Sequence, residues 1–206
     1  MEKYTFIHPT KTGGSACEQF FLNHYSNRIV GQGHVNLCTE TNNSIIIVRD
    51  VKSRFFSMFK YWKYGAIDSV FTRDQKFCEQ NESKTILDFI ELLKSNKEYL
   101  YVGFTWDDHF KNISHWINNV SYKNIIVIKY ESNLNEKVKK LLKTLNIPDK
   151  NIELPIFNVS KVHSDDIECY KNNEEQINDF ILKYFAEDIK LLDKIDNEPE
   201  LFKFVI

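Results

Sequence analysis

Two short segments of this chain carry residue types, at spacings, that suit the binding of oxyanions. The first is Lys11-Thr12-Gly13-Gly14-Ser15. It follows a β-prone run at residues 4–8 and precedes a helical run at 17–25. Bare backbone N–H groups, a helix N-terminus, hydroxyl donors and a cation therefore meet in one place. It is not a Walker A loop, because GxxxxGK[ST] puts its Lys after the last Gly and Lys11 precedes the pair. Taken alone, the loop also fits a plain glycine-containing turn with Lys11 in solvent. The second segment is Arg49, at the end of Ile45-Ile46-Ile47-Val48, followed by Asp50, Arg54 and Ser57. A strand-terminal guanidinium points over the sheet edge, and a residue about two turns into the next helix can face the same crevice. Arg49 and Ser57 therefore suit a second phosphate. The alternative is that Arg49 pairs with Asp50 or Glu131 and that Ser57 is merely small on a packed face.

The elements that must position these groups are readable from periodicity. Residues 45–48 form a continuous apolar run, too short for a helix and without the alternation of a half-exposed strand, which predicts a buried central strand. Ile125-Ile126-Val127-Ile128 repeats that signature. Phe20, Phe21 and Tyr25 recur at helical spacing after the glycine loop. Residues 52–64 carry Phe55, Phe56, Phe59 and Trp62 three and four apart, with Asp50 near the N-cap. Further helices are expected over 85–93, 105–118, 135–145 and 174–195, and a loop over 147–163. Strands alternating with helices imply an α/β fold, a mainly parallel sheet covered on both faces. Ligand sites in such sheets cluster at the carboxyl ends of strands.

Composition bounds the rest. The chain has 206 residues, 42% apolar and 14% aromatic, enough to build the core of one domain, expected to span 1–206, and incompatible with disorder. With 27 Lys+Arg against 29 Asp+Glu, the formal net charge is −2, which argues against a general nucleic-acid binder, so any anion site is local. Cys17, Cys38, Cys78 and Cys169 form no CxxC or Cys/His cluster, so neither a metal site nor a disulfide scaffold is expected and a reducing compartment fits. No apolar run approaches the ~18–20 residues of a membrane span, and no secretory signal is readable at residues 1–4. The expectation is a soluble, cytoplasmic chain.

Taken together, the two segments carry a resemblance. Ile7-His8-Pro9-Thr10-Lys11-Thr12-Gly13-Gly14-Ser15 resembles the PKTGGTS 5′-phosphosulfate loop of the PAPS-dependent carbohydrate sulfotransferases. Ile47-Val48-Arg49-Asp50-Val51-Lys52-Ser53-Arg54-Phe55-Phe56-Ser57 resembles their RDPxxRxxS 3′-phosphate motif. Between them, Gly31-Gln32-Gly33-His34-Val35 is similar to the segment that carries the base histidine in heparan-sulfate 2-O-type enzymes. Residues 124–131, Pro155 and Asn158-Val159-Ser160-Lys161 resemble the superfamily's late strand and the loop over the nucleotide.

The resemblance implies a P-loop-like three-layer α/β/α fold and transfer of the sulfuryl group of PAPS to a hydroxyl acceptor, a carbohydrate. The product is 3′,5′-ADP, and no metal is required. It implies that Lys11 meets the charge growing on the bridging oxygen, that Lys11, Thr12, Gly13, Gly14, Ser15 and Ala16 cradle the 5′-phosphate, and that Arg49 and Ser57 take the 3′-phosphate. Ser160 and Lys161 would serve the same end of the nucleotide, and His34 would be the general base, for which an imidazole is suited near neutrality. Apart from the resemblance, His8 ends the first strand and is expected to brace the loop.

The sequence departs from the family pattern at three places. Pro9 is separated from Lys11 by Thr10, Ala16 replaces a hydroxyl residue and so removes one donor to the 5′-phosphate, and Val51 replaces the Pro of RDP. Lys60, Lys63, Arg73 and Lys76 either meet an acidic sugar or form a solvated face. Asp107 and Asp108 read as charges at a helix start. Two other readings share the loop: a P-loop nucleotide kinase or NTPase, and a catalytically silent module that binds 3′,5′-ADP.

Overall fold

The computed structural model describes residues 2–31, 43–65, 81–95, 100–101, 104–105, 111–117, 120–130, 133–155 and 163–206. In chain order the elements are β1 (Tyr4–Ile7), α1 (Gly14–Tyr25), β2 (Ile29–Gly31), β3 (Ser44–Arg49), α2 (Val51–Tyr64), α3 (Ile86–Lys94), β4 (Leu100–Tyr101), β5 (Phe104–Thr105), β6 (Ile125–Tyr130), α4 (Leu134–Thr144), α5 (Ser164–Asn172), α6 (Glu174–Tyr184), α7 (Ala186–Asn197) and β7 (Phe204–Val205). Short 3₁₀ turns lie at Ile113–Trp116, Tyr122–Asn124 and Pro199–Leu201. The chain divides into two compact units, the first made of residues 1–50, 112–156 and 187–206 and the second of 51–111 and 157–186.

The first unit is built on a five-stranded sheet in the order β2-β1-β3-β6-β7, parallel throughout. An α/β architecture is therefore present. Ile45, Ile46, Ile47 and Val48 are each at most 1% exposed, and burying each such side chain contributes about 2 kcal/mol. Parity sorts the strands onto two faces. Phe6, Ile45, Ile47, Ile126 and Ile128 pack against Phe20 and Phe21 of α1 and Val138, Leu141 and Leu142 of α4. Ile46, Val48, Ile125 and Val127 pack against Ile113, Ile117 and Phe202 and against Leu191 and Ile195 of α7. The strand order reverses between β1 and β3: from β1 the chain builds outward to β2, then returns to β1's other side to add β3, β6 and β7. In open α/β sheets the crevice at such a reversal, outside the carboxyl ends of the strands, is where ligands bind.

The second unit holds an aromatic core. Phe55, Phe59 and Trp62 of α2 meet Phe89 of α3, and Phe55 also meets Phe180 and Phe185. A capping box starts α3: the Thr85 hydroxyl accepts from the Asp88 N–H, and the Asp88 carboxylate accepts from the Thr85 N–H. The pair β4–β5 is antiparallel.

Two expectations change, and one helix was not foreseen. The helix over 105–118 does not form as such: Thr105 lies in β5, residues 106–110 and 118 fall outside the described residues, and Ile113–Trp116 is a 3₁₀ turn. The pattern over 174–195 is two helices, with Phe185 as the break. There the chain passes from the second unit to the first. Residues 164–172 form α5, which buries no side chain and so left no apolar stripe to read.

Candidate functional site

The glycine loop joins β1 to α1 at the reversal point of the sheet, and its shape follows from its residues. Lys11 and Gly13 both adopt the left-handed conformation, with φ of 62° and 82°. The Thr12 hydroxyl donates to the Pro9 carbonyl at 2.7 Å and is fully buried, so it ties the loop to itself. What Thr12 can offer a ligand is therefore its backbone. Gly13 is the N-cap of α1 and has no side chain to cap it, and the first turn of α1 holds no acidic residue. No side chain of the N-cap or first turn therefore offsets the positive end of the helix dipole. Ser15 and Ala16 sit half-buried in that first turn.

His8 lies beneath this turn. It is 2% exposed, and its Nε2 is 2.9 Å from an oxygen of Glu18 on the next turn of α1. A β-carbon on Gly14 would fall 1.9 Å from the His8 β-carbon, so Gly14 is the residue that lets the helix start against the imidazole. The loop is braced from below, as the sequence suggested.

Arg49 closes the site from β3. Its Nη1 donates to the Lys11 carbonyl at 3.4 Å, and its guanidinium carbon lies 4.7 Å over the ring of Tyr130. Its Nε is buried without a hydrogen-bond partner. Burial lowers the guanidinium's pKa, while Tyr130 and Asp50 act in the opposite direction. Arg49 and Tyr130 are register partners on neighbouring parallel strands and share a face. Tyr130 in turn fills the space over Gly13, where an added β-carbon would lie 2.3 Å from the ring.

Lys11, Thr12, Gly13, Gly14, Ser15, Ala16 and Arg49 are thus gathered at one strand-tip cluster of the first unit. Sequence reasoning missed Tyr130, although aligning 45–49 with 126–130 by their apolar runs places it opposite Arg49. Ser57 is half-buried on α2 in the second unit. His34, Ser160, Lys161 and Glu131 lie outside the described residues, as do Arg73 and Lys76.

Two basic residues of α2 have structural work. Arg54 is buried and donates to the Lys111 carbonyl at 2.7 Å. Lys63 is neither a solvated cation nor an open anion contact: it is 8% exposed and lies 2.7 Å from Asp166, which also accepts the Tyr64 hydroxyl. Burial first, and then Asp166, push the Tyr64 phenol's pKa up. His163 stacks on Tyr64 at 4.5 Å.

A cavity of about 470 Å³ lies elsewhere in the first unit, lined by Ser114, Tyr122, Glu187, Lys190 and Lys194, among others. Among the described residues no group of three or more His, Cys, Asp or Glu is arranged to hold a metal, and no helix is long and apolar enough to cross a membrane. Compared with known proteins, the chain matches no protein-family model and no curated protein.

Proposed function

We propose that this chain is a PAPS-dependent sulfotransferase that moves a sulfuryl group to a hydroxyl acceptor, a carbohydrate, and that its sheet is of the P-loop-like three-layer kind. The observation that carries the reading is the placement of Arg49 against the Lys11 carbonyl at the β1/β3 reversal, beside a helix N-terminus that its own residues leave uncapped. A ligand with phosphoryl groups at two positions fits this donor set. The amides of residues 12–15 and the Arg49 guanidinium supply the donors.

When bound, PAPS supplies the sulfuryl group and, as its leaving group, 3′,5′-ADP. Lys11 meets the charge that grows on the bridging oxygen, and the loop amides of 12–15 hold the 5′-phosphate in line for attack. Arg49 takes the 3′-phosphate, the group that separates this donor from ATP. On the strength of the resemblance alone, His34 receives the acceptor's proton.

The test compares 3′,5′-ADP, 5′-AMP and ATP with and without Mg²⁺ in a thermal-shift titration, then looks by mass spectrometry for sulfated glycans after incubation with PAPS. Stabilisation by 3′,5′-ADP in preference to the other two, near 2.7 kcal/mol at roughly a hundred times Kd, with transfer to a glycan, is the expected result. Preference for ATP with Mg²⁺ would mean a kinase or NTPase. Binding of 3′,5′-ADP without transfer to any acceptor would mean a silent module.

A further inference from the structure

We infer that Tyr130 is a positioning residue for anion binding, holding the Arg49 guanidinium over the Lys11–Gly14 loop. The inference rests on the anion-binding reading of that loop and extends it to a residue on a third strand. Arg49 and Tyr130 are paired in register at the tips of β3 and β6, so their side chains leave the sheet side by side on the face that α1 covers. The guanidinium carbon stands 4.7 Å from the ring centroid. The same ring also lies against Gly13, so close that no other residue fits there without moving it. A single phenol therefore touches the loop and the arginine at once, and the Nη1 bond to the Lys11 carbonyl completes the circuit.

The chemistry of Arg49 explains why it needs such a holder. Among the described residues no hydrogen bond or ion pair joins its guanidinium to a carboxylate, and its Nε has no acceptor. A carboxylate would fix the side chain but would also compete with an incoming phosphate. An aromatic face fixes it by cation–π attraction and leaves the N–H fork open in its own plane. Removing the ring frees a long side chain that each binding event must then immobilise, which weakens binding by about five- to tenfold.

The experiment is calorimetric titration of the full chain with 3′,5′-ADP and, separately, with inorganic pyrophosphate. The proteins are the wild type, Tyr130→Phe, Tyr130→Leu, Arg49→Ala and the double variant Tyr130→Leu/Arg49→Ala. Tyr130→Phe keeps the ring and is expected within about twofold of wild type, and Tyr130→Leu about five- to tenfold weaker for both ligands. In the Arg49→Ala background the leucine is expected to add nothing, because Tyr130 acts through Arg49. Where Tyr130→Leu does not fold, Tyr130→Met takes its place. The inference is overturned if the ring-free variant binds like wild type, if Tyr130→Phe loses as much as Tyr130→Leu, or if the leucine costs its full factor without Arg49. Tyr130-dependent binding of pyrophosphate by a protein that ignores 3′,5′-ADP would support the inference and sink the sulfotransferase reading. A wild type that binds neither ligand overturns the inference as well.

Discussion

Arg49 donates to the main-chain carbonyl of Lys11, a residue 38 positions earlier in the sequence and in the loop that follows the neighbouring strand. The contact is made to backbone, not to an acidic side chain. It therefore ties the second cation to the first loop without engaging a carboxylate. Lys11 itself is left-handed, a conformation that non-glycine residues adopt at a cost of roughly 1–2 kcal/mol.

That strain separates the role of the ammonium from the stability of the loop. Lys11→Gly is expected to unfold at or above the wild-type midpoint in a thermal melt, because glycine accepts φ of 62° without penalty. Under the proposed sulfotransferase reading, sulfuryl transfer is expected to fall by about two to three orders of magnitude. Undiminished transfer would remove Lys11 from the chemistry.

Gly14 is expected to be nearly irreplaceable for a different reason. Gly14→Ala would set a methyl 1.9 Å from the buried His8 side chain, and the helix start must then shift off its brace. Overpacking of this kind costs about 1–3 kcal/mol, to be read as a lower midpoint in thermal unfolding. A midpoint equal to wild type would show that the loop is not packed as described.

The capping box of α3 gives a pH prediction. Hydrogen bonds from the Thr85 N–H, and then from its hydroxyl, lower the Asp88 pKa below its ordinary value. A carboxyl depressed in the folded state contributes stability that is complete above its unfolded pKa and is lost as pH falls through the folded one. Thr85→Ala is expected to cost about 1 kcal/mol near neutrality, and the deficit should shrink below the usual carboxylate range. Denaturant titrations at pH 7 and pH 3 measure it; an equal deficit at both would contradict the box.

Cysteine reactivity should divide sharply. Burial pushes the Cys17 thiol up to about 12 and leaves it 0% exposed, whereas Cys169 is partly open. Iodoacetamide at pH 8, read by mass spectrometry of the native chain, is expected to label Cys169 and to spare Cys17 until the chain unfolds. Labelling of Cys17 in the native protein would place α1 differently.

The legible parts of this fold were those written in contiguous residues. Residues 45–48 and 125–128 announced buried parallel strands because both faces of each are covered, so the apolar pattern has no gaps. The edge strands β2 and β7 gave no such sign, being three and two residues long. The pattern over 174–195 read as one helix because periodicity records which side of a helix is buried but not which core buries it. Lys63 read as a surface cation because its partner Asp166 is 103 positions away.

The candidate site divides along the same line. Sequence alone determined the ingredients: a cation and a glycine pair between strand and helix, and an arginine at the end of a buried run, since these depend only on neighbours in the chain. Only the tertiary structure decided that β1 and β3 lie side by side at the sheet's reversal, that Arg49 reaches the Lys11 carbonyl, and that Tyr130 stands between Arg49 and Gly13. Strand order and register are set by the packing of both faces at once, a property of the whole sheet that no local stretch of residues contains.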